Sequence, residues 1–390
     1  MFRILVLNLG STSFKFKLFQ MDTEERALAS GWAECIGGKG RYAVHAGKAC
    51  AAGDCVCLTH LEALELCMDE MTRLGLSIDI TTLDALGYKA VHGGTISGSH
   101  VVDDALLAEM ERMVSFAPAH NPVYLAMMRS IRAKYAGVLQ IACFETAFHA
   151  TIPFERAVYG VPLEWVEQYG VRRYGFHGSS HSYIAWKMAQ ESPSARRLIS
   201  AHLGGSSSLC AILNGKSIAA SMGATPQSGL FHNNRVGDLD VFCLPILAQQ
   251  LGGLDNAMHM LSAQSGLLGL SGVSNDIRAV EAAAEGGNER AQLALDAFVD
   301  AIVGYIGMYT AYLGGLDALC FTGGIGLNDT EIRAAVIRKL GFLCAKLDER
   351  LNKRGYEGKI SAPDSKIEIW SLETNEEIMV ARGCVKVLNA

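Results

Sequence analysis

The chain has 390 residues, with 34 Lys+Arg against 40 Asp+Glu and a formal net charge of -6. That length points to two domains, since single cores stop growing at roughly 250–300 residues, and the lack of a basic excess argues against nucleic-acid binding. Half of the residues are hydrophobic and only 19% are charged, a composition suited to large buried cores rather than to disorder.

In chain order, the first predicted element is the apolar run at residues 4–9, followed by the turn Gly10, Ser11, Thr12, Ser13 and a second strand at residues 14–19. The run is too short for a secretory leader and has no small-residue cleavage site, so a cytoplasmic protein is expected. The eleven Cys form an odd, scattered set that predicts reduced thiols rather than a disulfide framework. Cys55 and Cys57 read as small strand residues. Lys89 and His92 precede the double glycine Gly93-Gly94, and His120 lies in a loop kinked by Pro118 and Pro122. Glu145 follows the apolar stretch at residues 138–143, which places it near the carboxyl end of a strand, where ligands of open α/β sheets gather. The segment 172–181 carries Arg172, Arg173, His177 and His181 with two glycines, and reads as a loop without helix or strand periodicity.

The run at residues 198–203 and the turn Gly204, Gly205, Ser206 then repeat the first element. Superposing Asn8-Leu9-Gly10 on His202-Leu203-Gly204 aligns strand, turn and second strand without a gap. A Gly/Ser turn exposes successive backbone N–H groups and can cradle a phosphate without a helix N-terminus, so the repeat predicts a duplicated α/β architecture with a phosphate-contacting hairpin from each half. Arg235 stands near Asp238 and Asp240, where an ordinary surface ion-pair turn is the alternative. The uncharged window at residues 301–316 falls short of the ~20 residues needed to span a bilayer and predicts a buried core helix. Apolar residues 318–321 lead into Gly323, Gly324, Ile325, Gly326 and Asn328, and residues 330–340 predict a capped helix. This turn matches neither the P-loop nor the dinucleotide fingerprint. Glu376 opens an amphipathic C-terminal helix.

Together these segments resemble the acetate kinase family, within the sugar kinase, Hsp70 and actin superfamily. The resemblance rests on the first hairpin, Val91-His92-Gly93-Gly94, Ala117-Pro118 with His120-Asn121-Pro122, and Phe144-Glu145-Thr146-Ala147-Phe148-His149. It continues through Arg172-Arg173-Tyr174-Gly175-Phe176-His177-Gly178, Ser221-Met222-Gly223 with Thr225-Pro226, Arg235 with Gly237-Asp238, Phe321-Thr322-Gly323-Gly324-Ile325-Gly326, and Thr374-Asn375-Glu376-Glu377. It implies an α/β protein of duplicated actin/ribonuclease-H-like domains, each a mixed five-stranded sheet with helices, around a central cleft. The first domain would span residues 1–150 and be rejoined by a helix at about 376–390; the second would span 151–375. The activity implied is reversible phosphoryl transfer between ATP and acetate or propionate, giving acyl phosphate and ADP, with Mg²⁺, in a cytoplasmic homodimer that binds neither nucleic acid nor membrane.

The resemblance also distributes roles. Arg235 would grip the carboxylate and the transferring phosphoryl group, His177 would donate a hydrogen bond to an equatorial oxygen, and His120 would support that site. Lys89 and Glu145 complete the catalytic set, and Val91, Ala119, Phe176 and Pro226 line the acyl pocket beside His120. Ser11, Ser13, Lys15, His202, Gly204, Gly205 and Ser206 would hold phosphates. Asp276 and Arg278, with Gly324, Ile325, Gly326 and Asn328, would hold the adenosine, and Asn8 and Glu376 would hold Mg²⁺. No general base is needed, because a carboxylate is already ionised at neutral pH.

Four differences from the family bear on the chemistry. Lys89 replaces an arginine, which turns a bidentate fork into a point charge. Glu145 replaces an aspartate, Gly205-Ser206 replace an amide-bearing turn, and Leu327 replaces a glutamate. These changes raise three alternatives: a pyrophosphate-dependent enzyme, a butyrate-preferring one, and a weakened nucleotide-binding homologue. Ala119 stands where the family has leucine, so propionate or butyrate is expected to serve at least as well as acetate.

Overall fold

The computed structural model describes all 390 residues. The chain divides into two compact units, Met1–Ala147 with Asn375–Ala390, and Phe148–Thr374.

The first unit contains β1 (Phe2–Leu9), β2 (Ser13–Met21), β3 (Arg26–Glu34), β4 (Gly38–Ala46), β5 (Ala49–Cys57), β6 (Ala85–Ala90), β7 (Ser99–Val101) and β8 (Gln140–Phe144). They form one sheet in the order β5-β4-β3-β2-β1-β6-β8-β7. β1–β6 and β6–β8 are parallel; the other pairs are antiparallel. Residues Ile4 to Leu7 of β1 have no exposure, which fits a central strand covered on both faces. The helix His60–Arg73, capped by Thr59, packs on β3, β4 and β5, and Glu376–Leu388 packs on β1, β2 and β6.

The second unit holds β9 (Arg197–His202), β10 (Ser208–Leu213), β11 (Lys216–Ala220), β12 (Ala318–Thr322), β13 (Gly358–Lys359) and β14 (Glu368–Ser371), ordered β11-β10-β9-β12-β14-β13. β9–β12 and β12–β14 are parallel; β10 is antiparallel to both of its neighbours. The middle of each sheet therefore has the same plan: β3-β2-β1-β6-β8 in one and β11-β10-β9-β12-β14 in the other, with identical directions. This is the duplication that the repeated hairpin predicts.

The count of five strands describes only that shared middle. The first sheet has eight strands and the second six. The β4–β5 hairpin extends beyond β3 with one face half-exposed and the other largely exposed, and short β7 and β13 cap the opposite edges, where a long bare strand would invite pairing with other chains. On β5, Cys55 and Cys57 face inward while Val56 is exposed, and all eleven cysteines are free.

The gapless superposition of the two hairpins fails by one residue. Asn8 pairs with Lys15 in the first, whereas His202 pairs with Ser208 in the second. The second turn is one residue shorter between those partners, because the Ser207 hydroxyl bridges Gly204 N and Gly204 O inside it.

The apolar window near residue 301 lies within a helix of 25 residues, Glu289–Leu313. It is long and apolar enough to cross a membrane by length and composition, yet Phe298, Ile302, Ile306 and Tyr309 on one face are buried in the second core.

Candidate active site

In each sheet the parallel strands end on the same side, and several of the polar residues singled out in the sequence lie at those ends. Asn8 is near the end of β1, Lys89 near the end of β6, and Glu145 follows β8, its N–H donating to Ala90 O at 2.8 Å. Adjacent registers of β1 on β6 and of β6 on β8 bring the three strand ends side by side.

Lys89 forms a hydrogen-bonded ion pair with Glu376. Both side chains are nearly buried, at 13% and 14% exposure. Burial pulls the Lys89 pKa down, but the carboxylates of Glu145 and then Glu376 outweigh it and hold the ammonium charged above its usual range. Tyr124, which the sequence reading missed, lies against this cluster; burial pushes its phenol up to about 12, and its oxygen accepts from Leu9 N at 3.0 Å. The loop with His120 runs straight into the helix Asn121–Lys134, with His120 at the N-cap and Pro122 in the first turn. The Asn121 amide fixes it by donating to His92 O and Met110 O, each at 2.9 Å. Ser11, Ser13 and Lys15 lie on the β1–β2 turn and the start of β2, where Gly10 N donates to Ser13 O. His60, also missed, reaches that turn with Nε2 2.9 Å from Gly10 O.

The second unit holds the other half of the residue set. The segment ending at His181 is not a loop throughout: Gly178–Glu191 is a helix, with His177 at its N-cap in the left-handed conformation at φ 56°. Residues Ile184 and Met188 bury the helix face, and this packing overrides the unfavourable propensity of Gly178. A left-handed non-glycine residue is uncommon, and such strain clusters at functional sites. His177 stacks on His202, with ring centroids 4.3 Å apart. His149 lies behind them, its Nδ1 2.9 Å from Ser217 Oγ and its Nε2 2.9 Å from Phe176 O. Burial lowers its pKa to about 4, so the neutral ring fixes the backbone at Phe176.

Arg235 does not form the ion-pair turn with its neighbouring acids. Its guanidinium donates to Ser206 Oγ at 3.2 Å and Pro226 O at 3.1 Å, while Asp238 accepts from Gly229 N and from the Tyr305 hydroxyl. Beside Arg235, His232 is buried and unanticipated; its Nδ1 accepts from Ser207 N at 2.9 Å, and burial, then Arg235, lowers its pKa to about 3. The acyl-pocket candidates fall on both units: Val91, Ala119 and His120 on the first, Phe176 and Pro226 on the second.

A cavity of about 940 Å³ opens beside these turns. Gly204, Gly205, Asp276, Arg278, Gly324, Ile325 and Asn328 line it, whereas His202, Ser206 and Gly326 do not. The two glycine turns are stitched together, since Ile325 N and Gly326 N donate to Leu203 O and Leu203 N donates to Thr322 O. Gly323 cannot carry a side chain here: its φ is 79°, and a Cβ would lie 2.5 Å from Leu203 O. Gly323–Asn328 is a short helix, and Thr330–Lys339 follows it, capped by Asp329. Arg278 pairs with Asp276 at 2.5 Å. Glu281 and Asp329 also line the cavity and were not anticipated, because nothing in their local sequence links residues so far apart. No cluster of three or more His, Cys, Asp or Glu side chains suited to a metal is present.

A nucleoside-sized cavity under glycine turns, next to a half-buried arginine and stacked imidazoles, is the equipment of a phosphotransferase. Comparison with known proteins makes this specific. The Acetokinase family profile matches residues 3–382. The chain is 40% identical to an acetate kinase of Acholeplasma laidlawii, covering 99% of this chain and 100% of that protein, and 41% identical to a propionate kinase of Citrobacter rodentium, covering 99% and 96%. Its structure is similar to that of a propionate kinase from Francisella tularensis, with a TM-score of 0.91 and 34% identity over 98% of this chain and 99% of the other. The chain belongs to the acetokinase family. It is an enzyme of the phosphotransferase class whose acceptor is a carboxyl group, with ATP and ADP as the nucleotide substrates.

Proposed function

We propose that this enzyme catalyses reversible transfer of the γ-phosphoryl group of ATP to acetate or propionate, giving acyl phosphate and ADP. The observation that carries this reading is the cavity, which is large enough for a nucleoside and lined by Asp276, Arg278, Gly324, Ile325 and Asn328. A pyrophosphate donor has no use for such a chamber.

Phosphoryl transfer asks the protein mainly to position two oxygens and to neutralise charge on the equatorial ones. Arg235 would orient the acceptor carboxylate and offset that charge, with its guanidinium aimed by Ser206 and Pro226 O. His177 would donate to an equatorial oxygen, and His202, Gly204 and Gly205 would hold the nucleotide phosphates. An amide and a carboxylate, Asn8 and Glu376, suit Mg²⁺, a hard cation that takes one or two protein oxygens and completes its shell with water and phosphate. When bound, the ion neutralises phosphate charge. Lys89 already engages Glu376, so it would hold that carboxylate in place while Glu145 balances the ammonium. Ala119, exposed and small, would leave room for an acyl chain longer than acetate. A homodimer and a cytoplasmic location belong to the same proposal, and sedimentation should give twice the chain mass.

The test is Arg235→Lys. It keeps the charge but loses the planar fork, so kcat should fall by about 10²-fold or more, with the nucleotide KM within about threefold of wild type. An unchanged kcat would remove Arg235 from the reaction.

A further inference from the structure

The imidazole of His177 is held from behind by a row of buried groups. Its Nδ1 lies 2.8 Å from Ser208 Oγ, and the same hydroxyl lies 2.8 Å from His181 Nε2. His181 Nδ1 lies 2.9 Å from Ser200 Oγ. Ser200, Ser208 and His181 are all 0% exposed, and neither serine hydroxyl has another hydrogen-bond partner. Each hydrogen in the row must therefore find its acceptor within the row.

A hydroxyl has one hydrogen to give, and so does a neutral imidazole. Burial, then the neighbouring His149 and His202, holds the His181 pKa well below its usual value, so that ring is neutral. One arrangement uses every hydrogen. Ser200 O–H donates to His181 Nδ1, His181 Nε2–H donates to Ser208 Oγ, and Ser208 O–H donates to His177 Nδ1. Running the row the other way leaves the Ser200 hydrogen with nothing to bind. Letting both imidazoles donate to Ser208 strands the Ser208 hydrogen instead, and any remaining placement sets two acceptors against each other. Buried donors left unsatisfied are strongly disfavoured.

We propose that Ser208 and His181 are positioning residues that hold His177 as its Nε2–H tautomer, so that its outer nitrogen is a hydrogen-bond donor to an anionic oxygen of the transferring phosphoryl group. The functional half of this rests on the role given to His177 above. The stacked partner is set in the same way: Ser180 is buried, and its hydroxyl, 2.8 Å from His202 Nδ1, has only that nitrogen to donate to. His202 therefore also carries its hydrogen on Nε2, beside the Gly204 turn. The two rings form a pair of neutral donors, a form that stacks without the repulsion of two imidazolium ions.

Nitrogen-15 NMR of histidine-labelled full-length enzyme tests this by reporting which ring nitrogen carries the hydrogen. Wild type should show His177 as Nε2–H. Ser208→Ala should mix its tautomers and lower kcat by roughly tenfold, a fraction of the loss of about 10²- to 10³-fold when a preorganised donor is removed outright. The carboxylate KM should change by less than about twofold, because the positioned donor acts mainly in the transition state. Ser208→Thr, which keeps the hydroxyl, should restore the tautomer and the rate. An Nδ1–H tautomer in wild type would overturn the proposal without any variant having to fold, as would Ser208→Ala retaining both the wild-type tautomer and kcat. His177→Ala separates the two layers: an unchanged kcat there would overturn the catalytic reading of His177, not its tautomer.

Discussion

Lys89 holds two carboxylates with one ammonium, and that arrangement has a measurable consequence. Truncating it as Lys89→Met would remove the ammonium that offsets the charge of Glu145 and Glu376 in a nearly buried site. Breaking one side of such a pair should lower stability by about 3 kcal/mol, read as a shift of the urea midpoint at neutral pH. Glu281 and Asp329 present the opposite case, two acids in one cavity. Asp329 Oδ1 accepts from Ile332 N, and the Asp329 carboxylate accepts from the Glu281 carboxyl when that group is protonated. Burial, then Asp329, pushes the Glu281 carboxyl up to about 8, with Glu285 and Glu331 adding to the effect. Between its usual value and about 8 the folded enzyme keeps a proton that the unfolded chain has lost, so the stability from this group is complete at acid pH and is lost as pH rises through about 8. Glu281→Gln should flatten that decline and also remove an alkaline rise in the nucleotide KM; urea midpoints and KM at about pH 6 and about pH 9 would show it. Residue by residue, the sequence marked Asn8, Lys89, Glu145, His177, Arg235 and Glu376 as candidates, since each stands in a short polar motif within an apolar chain. It did not expose Glu281 with Asp329, or Ser200 with Ser208 and His181. Those groups meet only through strand pairing and helix packing, and a lone serine in a strand has no local signature.

At the scale of elements, the glycine turn after β12 is the sharpest constraint. Gly323 combines a left-handed φ with a close approach to Leu203 O, so Gly323→Ala should cost about 1–2 kcal/mol in backbone strain alone and lift the turn off β9. The expected result is a nucleotide KM raised by about tenfold, equivalent to about 1.4 kcal/mol of binding, with the carboxylate KM unchanged; steady-state kinetics would reveal the split. The turn and the capped helix after it were legible because glycine, strand and cap residues leave local marks. The helix Gly178–Glu191 was not, because its N-terminal glycine and three serines read as loop until Ile184 and Met188 find a core to bury against. The one-residue offset between the two hairpins escaped for a related reason: strand patterns show alternation, while register depends on how a turn bonds to itself.

The whole molecule is two copies of one five-stranded plan, with Asn8, Lys89 and Glu145 at the carboxyl ends of parallel strands in one unit and His202 at the end of β9 in the other. Phosphoryl transfer to a carboxylate needs no proton abstracted, only charges placed and water kept away, and the residue set fits that need. The duplication could be read from one repeated hairpin; the three extra strands of the first sheet and the one of the second could not, because β7 and β13 are only three and two residues long and β4 and β5 are rich in Gly and Ala, which blurs the alternation. The decisive measurement is hydroxylamine trapping of acyl phosphate, with acetate, propionate and butyrate each offered ATP or pyrophosphate in the presence of Mg²⁺. The account predicts acyl hydroxamate with ATP, with propionate at least matching acetate in kcat/KM, and none with pyrophosphate. Product from pyrophosphate alone, or no product from any pairing, would contradict it.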